Sequence, residues 1–213
     1  MNTIAIFHSY FHYLIHPFKT HESFMYPDLG DGYKPMRLNP YESLTASWFF
    51  VIINAIFRMI TLNFMIVFLL DLLNDSSVDY ARFINLTEFP SLYFIVLSSI
   101  LDIIFFPLFG FFVIQFWEAT IKIYGNLLGV SGDLAEKASD IIAVSYSSHL
   151  FKIVPVFGSP LQSLSGMILM YAGLRKQLNA SPVLSVCIIL TPVLILMLLA
   201  SFLVIMSLFI MQF

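Results

Sequence analysis

The sequence predicts an all-α membrane protein: a bundle of about five transmembrane helices preceded by an N-terminal amphipathic helix in the membrane interface. Three observations predict it. Of 213 residues, 59% are hydrophobic and only 11% charged, where soluble domains carry about 25% charged residues, so the chain cannot cover a water-facing surface of ordinary polarity. The apolar residues gather in runs near the ~20 residues that cross ~30 Å of hydrocarbon. The runs are punctuated by Asn-Pro, Ser-Pro and Gly, which start and stop helices.

The elements follow in order. Residues 4–18 place Ile4, Phe7, Phe11, Leu14 and Phe18 at helical spacing, and the run is too short to span, so an interfacial helix is expected. Residues 19–38 hold two Pro, two Gly and mixed charge and read as a linker. Residues 1–38 thus form an N-terminal region and 39–213 the bundle. Asn39-Pro40-Tyr41-Glu42 is a helix start in which Asn caps, Pro suits the first turn and Glu reaches back. It leads into a first span at about 44–70. After a polar connection comes a second span at about 91–117, and the stretch from Trp117 to Gly129 is expected along the interface. Asp133 with Glu136 starts a weaker third span, about 134–154, carrying Ser145, Ser147, Ser148, His149 and Lys152. Ser159-Pro160-Leu161-Gln162 opens a fourth, about 160–178, and Ser181-Pro182 a fifth, about 182–212. Pro155, Gly158 and Pro160 make the connection between the third and fourth tight, predicting a helical hairpin. Pro107 and Pro192 lie inside long spans and should bend them.

Composition also excludes classes. The net charge of −3, with no cationic cluster beyond Arg175-Lys176, speaks against nucleic acid. A single cysteine, Cys187, allows neither a disulfide framework nor a cysteine zinc site. No basic segment precedes the first apolar stretch, so no secretory signal is expected. With five spans, seven cations (Lys19, Lys34, Arg37, Lys122, Lys137, Arg175, Lys176) fall on the N-terminal side and two (Arg82, Lys152) on the other. That bias places the N-terminus in the cytoplasm and the C-terminus outside or in a lumen; three spans give the same orientation. Trp48, Trp117, Arg175 and Lys176 are then interface anchors.

Two stretches resemble a known family. LIHPFKTHESF (residues 14–24) resembles the short interfacial start of the Yip1 family. VPVFGSPLQSLSGMILMYAGLRK (residues 154–176) resembles that family's Ile-Pro-x-x-Gly turn, followed by a short span ending in Gly-Leu and a cation. The histidines near the N-terminus, Pro160 and Pro192 depart from the pattern. The resemblance implies a polytopic membrane protein without catalysis, resident in a bacterial inner membrane or a Golgi- or endoplasmic-reticulum-type membrane. Eukaryotic members are associated with vesicle trafficking and small GTPases. The partners expected are the lipid bilayer and other membrane proteins or further copies of the chain.

Arg58 and Asp102 are the candidate functional residues. Each lies near the middle of an apolar run on consecutive, hence antiparallel, helices. An unpaired charge at the bilayer centre costs about 2.5–3.5 kcal/mol, which pairing, with Asn54 one turn from Arg58, would reduce. The pair is read either as a clamp fixing two helices or as part of an ion, proton or lipid-headgroup path. His8, His12 and His16 recur every four residues, a spacing that can hold a metal, but no carboxylate falls on that face and no metal or other cofactor is expected. Ser145 and His149 are one turn apart without a fixed acid, weak grounds for a hydrolase. Gly125 and Gly129, and Gly166 and Gly173, are read as close-packing sites. Asn74-Asp75-Ser76 and Asn85-Leu86-Thr87 match glycosylation acceptors. The leading expectation is a non-enzymatic scaffold or accessory subunit. The alternative is a small transporter or lipid-handling subunit working at the Arg58/Asp102 level.

Overall fold

The computed structural model describes residues 3–26, 35–75, 92–155 and 157–211. The two glycosylation triplets reach into residues outside that set. Every regular element among the described residues is helical: α1 (Thr3–Ile15), α2 (Pro17–Met25), α3 (Pro40–Asp75), α4 (Leu92–Leu127), α5 (Leu134–Tyr146), a 3₁₀ segment (Ser147–Ile153), α6 (Gly158–Gln177) and α7 (Pro182–Met211). Three stretches are long and apolar enough to cross a membrane: Pro40–Leu62, Val96–Leu127 and Pro182–Ser207. The expected third and fourth spans instead form a shorter, more polar hairpin of α5, the 3₁₀ segment and α6.

The helix starts are chemically local and stand where the sequence puts them. Glu42 N donates to Asn39 Oδ1 at 2.8 Å and Asn39 N to Glu42 Oε2 at 2.9 Å, a reciprocal capping box. Asp133 accepts from the backbone N–H of Ala135 and Glu136, and Leu184 N donates to Ser181 Oγ. Other elements differ from expectation. The helix read over 4–18 breaks at His16, and residues 19–25, read as linker, belong to α2, with Pro17 at its first turn. The stretch from Trp117 to Gly129 does not turn onto the interface. It continues α4 as far as Leu127, with Lys122 paired to Glu118 one turn before it at 2.6 Å, and stops only where Gly129 takes φ +63. The start of α6 is Gly158 rather than Ser159, because the turn is tighter than a Ser-Pro cap requires. A Cβ on Gly158 would stand 2.6 Å from the Phe151 carbonyl oxygen.

Antiparallel α3 and α4 are joined along their length. Gln115 Nε2 donates to Tyr41 Oη, Leu44 packs on Gly110, and Trp48 Nε1 donates to the Ile103 carbonyl at 2.8 Å. The last bond has a cause in the sequence. Pro107 has no N–H, so the carbonyl four residues before it loses its helical donor; that carbonyl is Ile103, and Trp48 supplies the replacement. The expected interface anchor is therefore an interhelical clamp. Trp117 packs against the core beside Ile114 and Ile121.

The hairpin lies on α3 and α4. Its core joins Ile114, Ile121, Ile141, Leu174 and Ile188, and Gly173 lets α6 approach Ile141. At its tip Ser145 and Ser147 donate to carbonyls three residues back, competing with the α-helical ladder, and the chain tightens to 3₁₀. Two of the carbonyls in this stretch are taken up by α3: Ser47 Oγ donates to Tyr146 O at 3.0 Å and Asn54 Nδ2 to Lys152 O at 2.7 Å. Helix α1 buries Ile6, Tyr10 and Tyr13, while Ile4, Phe11 and Ile15 are exposed. The apolar face read from the sequence is thus mostly the outward one, and a second face, centred on the tyrosines, meets α3.

Candidate functional site

A half-open cavity of about 360 Å³ lies between α3, α4 and the hairpin tip, bordered by Asn54, Arg58, Asp102, Phe105, Phe106, Lys152 and Ser159. Arg58 and Asp102 do meet: Arg58 Nη2 donates to Asp102 Oδ2 at 2.6 Å and to Ser99 Oγ at 3.0 Å. Their side chains are 38% and 57% exposed, so the pair stands in the cavity mouth rather than sealed between helices. Arg58 Nε is inaccessible and has no hydrogen-bond partner among the described residues. Asn54, expected beside the pair, instead serves the Lys152 carbonyl; Ser99, buried on α4, takes the place foreseen for it.

Lys152 is the residue that sequence reasoning misplaced. From the sequence it counts among the cations on the side opposite the N-terminus, at the end of the weaker third span. The 3₁₀ tip carries it into the cavity, where its ammonium lies 5.5 Å from the centre of the Phe106 ring. No carboxylate among the described residues pairs with it, and a cation–π contact is worth ~0.5–2 kcal/mol, less than an ion pair in so apolar a place. The cavity therefore holds two cations and one carboxylate. The available signal was a lysine three residues before a Pro-x-x-Gly turn, which places a charge at the turn's depth.

Depth follows from the helix lengths. Arg58 stands near the midpoint of α3, eighteen residues after Pro40 and seventeen before Asp75, or ~27 and ~26 Å at 1.5 Å per residue, and in the later half of the Pro40–Leu62 stretch. The hairpin tip meets α3 at that level, well short of its far end at Asp75.

At the other end of the hairpin a polar network ties the N-terminal segment down. Arg37 donates to Asp140 through Nε and Nη2, both at 2.6 Å, and pairs with Glu136 at 2.5 Å. The hydrogen bond to Asp140 is the first of the interactions that raise the Arg37 pKa above its ordinary value. Lys176 pairs with Glu22, and Arg175 caps the chain after α6 through the Ala180 carbonyl at 2.6 Å. The cation pair expected at the membrane surface thus ends α6 and binds α2 at once. His21 is fully buried. Its Nδ1 accepts from Gln177 Nε2 at 3.1 Å, which also bonds Asp140. Burial, only partly opposed by the Leu169 carbonyl, lowers the His21 pKa to about 4.

The histidine row is divided. The His12 and His16 rings lie 5.4 Å apart. Burial first, then the charges of His16, His8 and Lys19, lower the His12 pKa, while His21 belongs to the network just described. No three His, Cys, Asp or Glu converge among the described residues. Ser145 and His149 each bond a backbone carbonyl, those of Ile142 and Tyr146. No protein-family model matches the chain, and neither a curated protein nor a solved structure matches it.

Proposed function

We propose that this chain is a non-enzymatic integral membrane protein of the Yip1 type. It acts as a scaffold or accessory subunit through helix–helix contacts and the face at the Arg37–Asp140 end, which is cytoplasmic. The observation that carries this reading is α7. Ile188 is buried, but residues 193–207 are all exposed, leaving most of one apolar span without a neighbour among the described residues. Lipid tails cover such a face, and packing against another span is the use this reading makes of it. The test is cross-linking of Leu198→Cys in a Cys187→Ala background, in native membranes. A disulfide dimer or a discrete heteromeric adduct is expected; a uniform reaction with lipid-soluble reagent and no adduct overturns the reading.

The topology belongs to the same proposal. The N-terminus is cytoplasmic and the C-terminus lies across the membrane, in a bacterial inner membrane or a Golgi- or endoplasmic-reticulum-type membrane. Of the two arrangements that fit this orientation, five crossings or three with a re-entrant hairpin, the depth of the tip favours the second. Non-helical backbone at mid-membrane is tolerated where protein covers it, and Ser47 and Asn54 of α3 provide that cover.

A second reading, favoured by the charged cavity, is a small transporter or lipid-handling subunit. The two separate on one variant. A scaffold tolerates Arg58→Met with Asp102→Leu, whereas a transporter loses flux with the protein still inserted.

A further inference from the structure

We propose that the cavity between α3, α4 and the hairpin tip binds a singly charged oxyanion, the phosphate group of an anionic lipid, with Lys152 as the charge that selects it. This deepens the lipid-handling reading and rests on it.

Three observations converge. The first is charge: Arg58 and Lys152 share one carboxylate, Asp102, which pairs with Arg58 at 2.6 Å, so the described lining of the cavity carries one positive charge in excess. An excess cation at mid-membrane costs about 2.5–3.5 kcal/mol, and one anion removes that cost. The second is the donor set. The Lys152 ammonium, the Arg58 guanidinium and the Ser159 hydroxyl line the same space. N–H and O–H donors lining one space suit an oxyanion, which accepts through several oxygens. The third is shape. The volume of about 360 Å³ falls within the ~300–1,000 Å³ of ligand sites. The rim is formed by Leu101, Phe105 and Phe109, all exposed on the apolar surface of α4. A headgroup entering there leaves its acyl chains against phenylalanine and lipid, so a lipid is favoured over a free ion.

The test uses the full chain in nanodiscs. With Trp117→Phe, Trp48 is the single tryptophan, bonded to the carbonyl of Ile103, next to Asp102. Its fluorescence is followed as phosphatidylcholine is replaced by phosphatidylglycerol or by further phosphatidylcholine, each with brominated chains. Half-quenching is expected at about fivefold lower mole fraction of the anionic lipid, the effect of one uncompensated cation. Lys152→Gln should abolish the preference and Asp102→Asn, adding net charge, should enlarge it. Equal quenching by both lipids, or a preference that survives Lys152→Gln, overturns the proposal. So does a failure of Asp102→Asn to enlarge it, which keeps the test decisive if Lys152→Gln does not fold. Inorganic phosphate distinguishes the source: no displacement of the brominated lipid is expected, and saturable displacement overturns the lipid in favour of the free anion. A lipid-scrambling assay in vesicles tests the parent reading by itself. Selective binding without scrambling keeps the site and removes the lipid-moving role.

Discussion

Trp48 and His21 set the terms at the residue scale. Trp48 satisfies the one α4 carbonyl that Pro107 deprives of its donor. Trp48→Phe keeps most of the ring and removes the N–H, leaving a carbonyl unsatisfied in hydrocarbon. A loss of ~1–3 kcal/mol is expected, read as a lower unfolding midpoint in detergent. A double variant with Pro107→Ala should recover most of it, since the helix then supplies its own donor. His21 is held neutral, with a pKa of about 4 against 6.5 for an unperturbed histidine. Between those values the unfolded chain takes up a proton that the folded one refuses. The stability contributed by neutral His21 is therefore whole above pH ~6.5 and falls as pH drops toward ~4, by up to ~3 kcal/mol. The groups around it are Gln177, Asp140, Arg37, Glu136, Glu22 and Lys176. The quantity to measure is the difference in unfolding midpoint against pH between the native chain and His21→Gln, which should narrow across that window.

At the scale of elements, what was legible in the sequence was local. Asn39 with Glu42, Asp133, and Ser181 before Pro182 act within one turn of themselves, and each caps the helix expected of it. The break at Pro155 and Gly158 was equally plain, and the structure places a tight hairpin there. What was not legible depends on partners a hundred residues away. Serines in the hairpin looked like the polar stain of a weak span, and Asn54 like a companion of Arg58. Only the packing of α3 on the hairpin shows that Asn54 serves a carbonyl of the 3₁₀ tip. The glycines sort by the same logic. At Gly158 a Cβ would meet backbone, the Phe151 oxygen at 2.6 Å and the Lys152 Cα at 3.1 Å; at Gly166 it would meet only the Ser148 hydroxyl at 3.2 Å, which can rotate away. Gly158→Ala should cost ~1–3 kcal/mol and shift Lys152 in the cavity; Gly166→Ala should cost less than half as much. Equal costs, by thermal unfolding, would refute the backbone contact.

For the whole molecule, the number of membrane crossings is the property least accessible to composition. Hydropathy alone cannot distinguish a weak span from a hairpin that enters and returns, because both are apolar segments broken by polar residues shielded by neighbours. The proposed re-entrant arrangement rests on the depth of the tip against α3, and labelling at the turn tests it. Phe157 is 67% exposed at the turn. A cysteine there, in a Cys187→Ala background, should resist a membrane-impermeant thiol reagent from both sides, while one at Asn179 reacts from the side of the N-terminus. Rapid labelling of Phe157→Cys from the opposite side would establish five crossings.

The fork from Arg37 to Asp140 and the Lys176–Glu22 pair join residues 103 and 154 positions apart. Helix α1 finds a seat early, on α3, through Tyr10 with Ser43 and Phe7 with Phe50, but Glu22 of α2 has no partner until Lys176 is made. At ~5–20 residues per second that is a wait of roughly ten to thirty seconds. Through that interval α2 hangs from a docked α1, so its closure onto α6 comes late in biogenesis, and whatever assists this protein's maturation has that interval in which to act.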